Sequence, residues 1–448
     1  MPDAPQPPTE SIDEYLTRKS REVQLLSSRL NHGPVFPNLT STGDVLRAKL
    51  EIRGRLLAQA SIETGAVTET NLSSSPDVSV CDYAVSYSYQ RMDLHVNCAV
   101  EYDPAATRGA DVESAVSWYA SSGMSAIAAT LIGLEAAVSE SAQIWTHADC
   151  YFETLEFLKR YCRKTTVTLC ELETQLERGP SDPLNCIAGL VILYLDSAAS
   201  SPNVERIAGS LDPSGSGYSL VMFDTSCFEL SSSTITTAVC RFMKLGLPTL
   251  LLRSHLKLDF LGIEYARLGS VTFLIPLNCD VARRQLVIAI AKECRAAARY
   301  FGLTPPIACL YPRLDQEEFH ALNRRRVDLI RYNNLYVAKS VRQILASICS
   351  RVTVRTFGHG LYFTLDFPSV FSADRLQSLQ RQLVELMRRH GIDAKIAASF
   401  GWDCTTLVVY QIGGTTQRAL RVAVADHPDA VIRNLALILG DWAREIQE

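Results

Sequence analysis

Arg253-Ser254-His255-Leu256-Lys257-Leu258-Asp259 follows a short apolar run, Thr249-Leu250-Leu251-Leu252, and the pairing of the two decides how the chain is read. The run is too short for a typical helix and fits a buried strand. Upstream, Leu220-Val221-Met222-Phe223 is a second such run, and it ends in Asp224-Thr225-Ser226. Between them, Ser233 to Leu245 carries apolar residues near helical spacing. The order strand–Asp, helix, strand–Lys puts both side chains at one edge of a parallel sheet. A lysine just past a strand, flanked by small and polar residues, can reach into the crevice at that edge. Taken singly, Asp224 also reads as an N-cap and Lys257 as a surface lysine.

The same rhythm extends in both directions. Strands are expected at Ala142–Thr146, Thr165–Leu169, Ile187–Leu195, Ser219–Phe223 and Ser270–Ile275. Helices are expected from Ser11 to Asn31, Asp44 to Ala60, Asp111 to Ala120, Ser121 to about Val138, Tyr151 to Arg160 and Val281 to Tyr300. Beyond Gly302-Leu303-Thr304-Pro305-Pro306, which reads as a domain edge, come helices at Asp315–Arg331 and Val337–Ser347. Strands then alternate with the helices Ala373–Arg389 and Ala430–Ile446. The fold class expected is α/β, a mainly parallel sheet in a three-layer large domain with a smaller C-terminal α+β domain. Residues 1–95 read as an N-terminal arm and helices, 96–305 as the large domain and 306–448 as the small one.

Composition narrows the function classes. The chain has 448 residues, 47% of them hydrophobic and 21% charged, with a formal charge of −4. That is the profile of an ordinary globular protein and gives no reason to expect nucleic acid or an anionic membrane as partner. Met1-Pro2-Asp3-Ala4-Pro5 has no apolar run after it, and the longest apolar runs are about half what a bilayer requires. The thirteen cysteines include no C-x-x-C pair, so reduced thiols in a cytoplasm are expected, and no metal site.

Ser121-Ser122-Gly123-Met124 opens the helix that continues Ala126-Ile127-Ala128-Ala129. Small residues at a helix start leave backbone N–H groups open to an anion, with the helix dipole in its favour. Alone it also reads as a plain cap. Followed by Asp224 and Lys257, it completes the set that pyridoxal phosphate requires: an anion cup, a carboxylate for the ring nitrogen and a lysine for the aldehyde.

At these residues the chain resembles the fold-type I pyridoxal-phosphate enzymes, and most closely the Cys/Met-metabolism branch that includes cystathionine γ-synthase and methionine γ-lyase. Ser122-Gly123-Met124-Ser125-Ala126-Ile127 resembles that branch's S-G-M-A-A-I cup, and Asp196-Ser197-Ala198-Ala199-Ser200-Ser201-Pro202-Asn203 its E-S-P-A-N-P segment. Asp224-Thr225-Ser226 is similar to its D-N-T, and Ser254-His255-Leu256-Lys257 to its S-x-T-K. The resemblance spans roughly residues 85–445. It implies pyridoxal 5'-phosphate as cofactor, held by Ser122, Gly123, Met124, Ser254 and Lys257, with Asp224 on the ring nitrogen. Tyr151 would stack on the ring, and Arg421 in Leu420-Arg421-Val422 would bind the substrate carboxylate. Tyr89 and Arg91, in Tyr89-Gln90-Arg91, would reach the phosphate of a neighbouring subunit, which implies a homodimer or homotetramer.

The chemistry that follows has Lys257 as general base at Cα, with Asp224 and Tyr151 as its catalytic partners. Such an enzyme activates an amino acid with a β- or γ-leaving group and eliminates or replaces it. The chain has Leu256 where the branch has threonine, and its asparagine is replaced around Ser200. These departures point to specialised biosynthesis, with S-adenosylmethionine among the γ-substrates. An aminotransferase shares the Asp, Lys and Arg, and a non-catalytic binding protein on the same fold is a further alternative. His255 is a secondary candidate for acid chemistry. His147 and His359 read as loop or core histidines.

Overall fold

The computed structural model describes residues 9–33, 36, 38–64, 78–80, 83–87, 94–96, 112–139, 141–148, 150–170, 190–198, 204–211, 217–265, 267–306, 309, 317–347, 351–411 and 417–445. The chain forms two compact units. One comprises Met1–Leu56, Lys257–Glu264 and Leu314–Glu448, and the other Leu57–Leu256 and Tyr265–Arg313.

Two helices come first, α1 (Ile12–Ser27) and α2 (Thr42–Thr64). Three short strands follow, β1 (Val78–Val80), β2 (Tyr83–Tyr87) and β3 (Leu94–Val96), paired as a small antiparallel sheet. Then come β4 (Val112–Ala120), α3 (Gly123–Ala137), β5 (Ala142–His147), α4 (Phe152–Tyr161) and β6 (Thr165–Cys170). The large unit continues with β7 (Leu190–Asp196), α5 (Val204–Ser210), β8 (Leu220–Asp224) and α6 (Ser233–Lys244). It closes with β9 (Thr249–Ser254), β10 (Gly269–Pro276) and α7 (Val281–Phe301).

These strands make a seven-stranded sheet in the order β4-β10-β9-β8-β7-β5-β6. Strands β5 to β9 pair in parallel, and β10 runs antiparallel to both its neighbours. The continuous apolar runs follow from burial on both faces. Ile192, Met222 and Leu250 pack on one side with Ile127, Leu131 and Ile290 of α3 and α7. Their neighbours Val191, Phe223 and Leu251 pack on the other with Ile207, Val239 and Phe242 of α5 and α6. The sheet is therefore the middle of three layers, as its sequence pattern predicts.

The other unit holds α8 (Glu317–Ser347), β11 (Thr353–Thr356), β12 (Phe363–Phe367), α9 (Ala373–Arg389), β13 (Ala394–Ile396), β14 (Thr405–Gln411), β15 (Arg418–Ala423) and α10 (Asp429–Glu445). Its five-stranded sheet runs β11-β12-β15-β14-β13 and packs Phe363, Leu365, Leu407 and Val422 against α8, α9 and α10.

Two sequence expectations are corrected. Asp111–Ala120, read as a helix, contains the strand β4, whose residues pair antiparallel with Gly269–Pro276. Val112, Val116 and Tyr119 fall near helical spacing, but strand pairing along the whole length of β10 overrides that weak pattern. The two helices read at Asp315–Arg331 and Val337–Ser347 are one helix of 31 residues. Residues 332–336, left between those two helices, continue the helical turns, and Asn333 and Asn334 among them form a buried clamp. Asn333 Nδ2 donates to the carbonyls of Ala425 (2.9 Å) and His427 (3.1 Å). Asn334 donates to Val424 O and accepts from Val424 N, each at 2.9 Å.

Within this unit lies a buried network of four cations and four carboxylates. Lys19 Nζ stands 3.0 Å from Glu22, 2.5 Å from Asp403 and 2.8 Å from Asp426. Lys49 joins Asp403 at 2.6 Å and also pairs with Glu22. Arg18 bridges Glu10, Glu22 and Asp426, while Arg326 approaches Asp403 and Asp426. Burial alone would push the Asp403 carboxyl up, but Lys19 and Lys49 outweigh it and hold the group at about 2. Glu22 and Asp426 are likewise lowered by the cations against the effect of burial.

A depressed carboxyl contributes stability that is complete above its unfolded value and lost as pH falls through the folded one. Thermal unfolding should therefore lose stability steeply as pH falls from 3.8 towards about 2. Asp403→Asn should cost about 3–5 kcal/mol at neutral pH, because it strands buried cations. It should also flatten the acid limb of the melting curve against pH.

Candidate active site

The sheet order collects strand ends at one edge of the large unit. Gly269, at the start of β10, is in register with Ala120 at the end of β4 and with Ser254 at the end of β9. Asp224, at the end of β8, is in register with Leu252 on one side and Asp196 on the other. Thr146 of β5 pairs with Tyr194 of β7 at the same edge. In a parallel sheet this carboxyl edge is where ligands bind.

The chain leaves β4 through Ser121 and Ser122 and enters α3 at Gly123. Ser122 caps the helix, its Oγ accepting from Ser125 N at 3.0 Å. The Ser125 hydroxyl lies 2.9 Å from that of Ser122 and 3.1 Å from that of Ser121. Glycine is required here by space. A Cβ on Gly123 would stand 2.6 Å from the Ser254 Cβ, and one on Gly269 would meet the Ser122 carbonyl. Backbone, hydroxyls and the positive end of α3 thus crowd together without intervening side chains. Met124 is half-buried and packs on the adjacent core. Ser254 N donates to Ser226 Oγ at 2.8 Å, which ties the end of β9 to the segment after Asp224.

Asp224 is buried, and its Oδ1 accepts from Ser226 N at 2.8 Å. Asp196, which the sequence reading quoted only as part of a segment, is buried in the neighbouring register position. Its Oδ2 accepts from Tyr151 N at 2.7 Å and from Cys150 Sγ at 3.2 Å, and its Oδ1 accepts from Ala198 N at 2.7 Å. Burial, and then the Asp224 charge, raise the Asp196 carboxyl to about 6. A buried carboxyl beside another acidic group is favoured in its protonated form, and here that carboxyl is Asp196. Tyr151 is half-buried at the N-cap of α4, its position fixed through the Asp196 bond and its ring 5.1 Å from that of Phe152.

Arg253 was legible only as a flank of Lys257. Its side chain is buried and donates to the carbonyls of Thr225 (2.8 Å) and Phe228 (3.0 Å), bracing the loop after Asp224. His255 is buried, with Nε2 2.8 Å from Ser270 Oγ and its ring 6.4 Å from that of Tyr119. It packs into the edge of β10.

Lys257 is the third residue beyond the end of β9 and belongs to the unit that contains the C-terminal sheet. Its Nζ lies 4.9 Å from the centroid of the Phe400 ring. Gly401 follows, with φ +87°, where a Cβ would meet the Lys257 carbonyl. The Arg421 guanidinium, on β15, lies 5.4 Å from the same Phe400 ring and 5.2 Å from that of Tyr362. Its Nη2 donates to Ala398 O at 2.5 Å and to Ser399 O at 3.5 Å. Lys257 and Arg421, far apart in sequence, thus share one aromatic ring. His359 stacks on Phe357 at 5.6 Å and lies 4.4 Å from Tyr362. Its pKa falls to about 3 through burial, followed by Arg331, Lys257 and Arg421. Phe400, Tyr362, His359 and Ser399 were not singled out as site residues; only their approach through the sheet reveals them. Tyr89 and Arg91 lie outside the described residues, as does Ser200.

Among the described residues no helix is long and apolar enough to cross a membrane, and no cluster of His, Cys, Asp and Glu could hold a metal ion. The chain matches no protein-family model and no curated protein. Among solved structures it is similar to an apo methionine gamma lyase, CalE6, from Micromonospora echinospora, at 15% identity and TM-score 0.48, over 76% of this chain and 84% of that one. A cystathionine gamma-lyase from Lactobacillus plantarum complexed with L-serine is similar at 12% identity and TM-score 0.47, over 73% and 82% of the two chains. A serine palmitoyltransferase from Sphingomonas wittichii is similar at 10% identity and TM-score 0.46, over 77% and 76%. Likenesses at this level carry no weight for the chemistry, which rests on the residues.

Because Gly123 has no room for a side chain, Gly123→Ala should displace α3 from the end of β9. It should cost about 1–3 kcal/mol, read as a fall in melting temperature. Gly209→Ala, where nothing lies within 4 Å, should be neutral or stabilising.

Proposed function

We propose that the chain is a pyridoxal 5'-phosphate-dependent enzyme that activates an amino acid bearing a β- or γ-leaving group and eliminates or replaces it. The observation that carries this reading is the sheet edge on which the glycine-bounded start of α3, Ser254 and the buried Asp224 converge. Lys257 follows that edge in the chain. The residues fit the cofactor's two demands. Gly123 and Gly269 let the start of α3, the Ser122 carbonyl and the end of β9 approach more closely than side chains would permit, and the N–H groups and hydroxyls gathered at that helix start suit a phosphate. Asp224 is a buried carboxylate, which suits a protonated ring nitrogen.

When bound, the cofactor supplies an electron sink for charge developing at the substrate Cα. Ser122, Gly123, Met124 and Ser254 would hold its phosphate, and Asp224 would keep the proton on its ring nitrogen. Asp196, next to Asp224, keeps Tyr151 in place and adjusts the charge that Asp224 meets. Tyr151 would cover one face of the ring and exclude water there. Lys257 would take the proton from Cα; in elimination a proton goes to the carbon that has lost its leaving group, and in replacement, where the nucleophile bonds to that carbon, the proton returns to Cα. Arg421, steadied between two aromatic rings, would hold the substrate carboxylate as a fork and so aim the Cα–H bond. Substrates in keeping with this include O-acylated homoserine or serine, a sulfur amino acid and S-adenosylmethionine. The reading also includes assembly as a homodimer or homotetramer, with Tyr89 and Arg91 completing a neighbour's phosphate site.

The test is chemical. Protein incubated with pyridoxal 5'-phosphate should absorb in the visible, and borohydride followed by peptide mapping should place a pyridoxyl group on Lys257. Lys257→Ala should lower turnover about 100-fold or more, whereas Lys244→Ala should leave it unchanged. A label on another lysine, or none, would sink the assignment. Stoichiometric transfer of the amino group to a 2-oxo acid, with no leaving group released, would favour the aminotransferase.

A further inference from the structure

His359 sits in the turn Phe357-Gly358-His359-Gly360, ahead of β12. Its Nδ1 accepts a hydrogen bond from Leu361 N at 3.0 Å, so the proton of the neutral ring is on Nε2. The residue is only 6% exposed, and its ring is flanked by Phe357 and Tyr362. The turn is held from outside by Arg331, whose Nε donates to the His359 carbonyl at 3.2 Å. Among the described residues Nε2 is buried with no hydrogen-bond partner. The same is true of Ser399 Oγ, on the segment whose carbonyls Arg421 grips.

A buried donor without an acceptor is costly and calls for an explanation. Burial first, and then Arg331, Lys257 and Arg421, hold this imidazole neutral. A neutral donor among fixed positive charges is complementary to an anionic oxygen. His359 and Arg421 also pack on one ring, that of Tyr362, at 4.4 and 5.2 Å. We infer that His359 is a substrate-binding residue whose Nε2–H is held for a carboxylate oxygen of the bound amino acid, beside Arg421. The inference rests on the functional reading above and deepens it. The oxygen belongs either to the α-carboxylate or to a distal acid.

The experiment uses holoenzyme with pyridoxal 5'-phosphate bound and follows the visible spectrum as L-methionine or L-glutamate is added. His359→Phe keeps the aromatic stack and removes both the Nε2 donor and the Nδ1 acceptor of Leu361 N, the latter read in its melting temperature, whereas His359→Gln loses the stack and keeps an amide donor near the Nε2 position. A binding donor predicts that His359→Phe weakens the dissociation constant about ten- to a hundredfold while His359→Gln stays within about threefold of wild type. A packing role predicts the reverse order and would overturn the inference. So would unchanged binding in both variants. Melting temperatures and the resting visible band of each variant, close to wild type, show that fold and cofactor site are intact. Loss with both amino acids assigns the donor to the α-carboxylate; loss with L-glutamate alone assigns it to a distal acid. If the wild-type spectrum responds to neither, the functional reading fails and takes this inference with it. If it responds and His359→Phe binds equally well, only the role of His359 falls.

Discussion

The pairing of Lys19 and Lys49 with Asp403, deep inside the unit that carries Lys257, is the constraint on which the rest of that unit depends. The lysine-bearing segment Lys257–Glu264 has a backbone that would not hold itself. Leu261 has φ +48° and Gly262 φ +83°, a region that favours glycine. Lys49 Nζ donates to the Leu261 carbonyl at 2.5 Å, and Asp403 N donates to the Gly262 carbonyl at 3.3 Å. On the other side, Arg326 donates to the Gly401 carbonyl at 2.6 Å, beside the Phe400 ring that receives Lys257. Lys19, Lys49 and Arg326, on helices α1, α2 and α8, thus hold the lysine loop and the segment beside it through charged side chains. A network of this kind does more to specify a geometry than to stabilise a fold, because desolvation offsets most of the attraction.

The same economy of fixed geometry recurs at the sheet edge. Asp196 holds Tyr151 and Cys150 while its own ionisation is restrained by burial and by Asp224. Arg253 braces the chain beyond Asp224 through carbonyl oxygens. Two neighbours in sequence, Arg253 and His255, therefore support the edge from buried positions, while Ser254 between them faces Gly123. Within β9 the opposite facing of Arg253 and Ser254 follows from the period of two along a strand, and His255 lies in the turn that follows.

Much of this was legible in the sequence where physics is local. Leu190–Asp196, Leu220–Asp224 and Thr249–Ser254 announce themselves because burial on both faces leaves them no polar residue until the edge. The Ser122 cap follows from hydroxyl chemistry at a helix start. What was not legible depends on partners distant in sequence. Strand β4 is defined by β10, more than a hundred residues later. The long helix α8 runs through its Asn pair because the residues after β15 supply hydrogen-bond partners. The charge network joins Lys19 to Asp403, a separation no local pattern reveals. His359 read as an ordinary loop histidine until Phe357, Tyr362 and Arg421 surrounded it.

The central claim is that the start of α3 and Asp224 together receive pyridoxal 5'-phosphate. An experimental structure of the protein soaked with that cofactor tests it most directly. The account predicts phosphate oxygens within about 3 Å of the Gly123 or Met124 N–H and of Ser254 Oγ, with the ring nitrogen about 3 Å from an Asp224 oxygen. Cofactor bound elsewhere, or seated with its ring nitrogen away from Asp224, would contradict it.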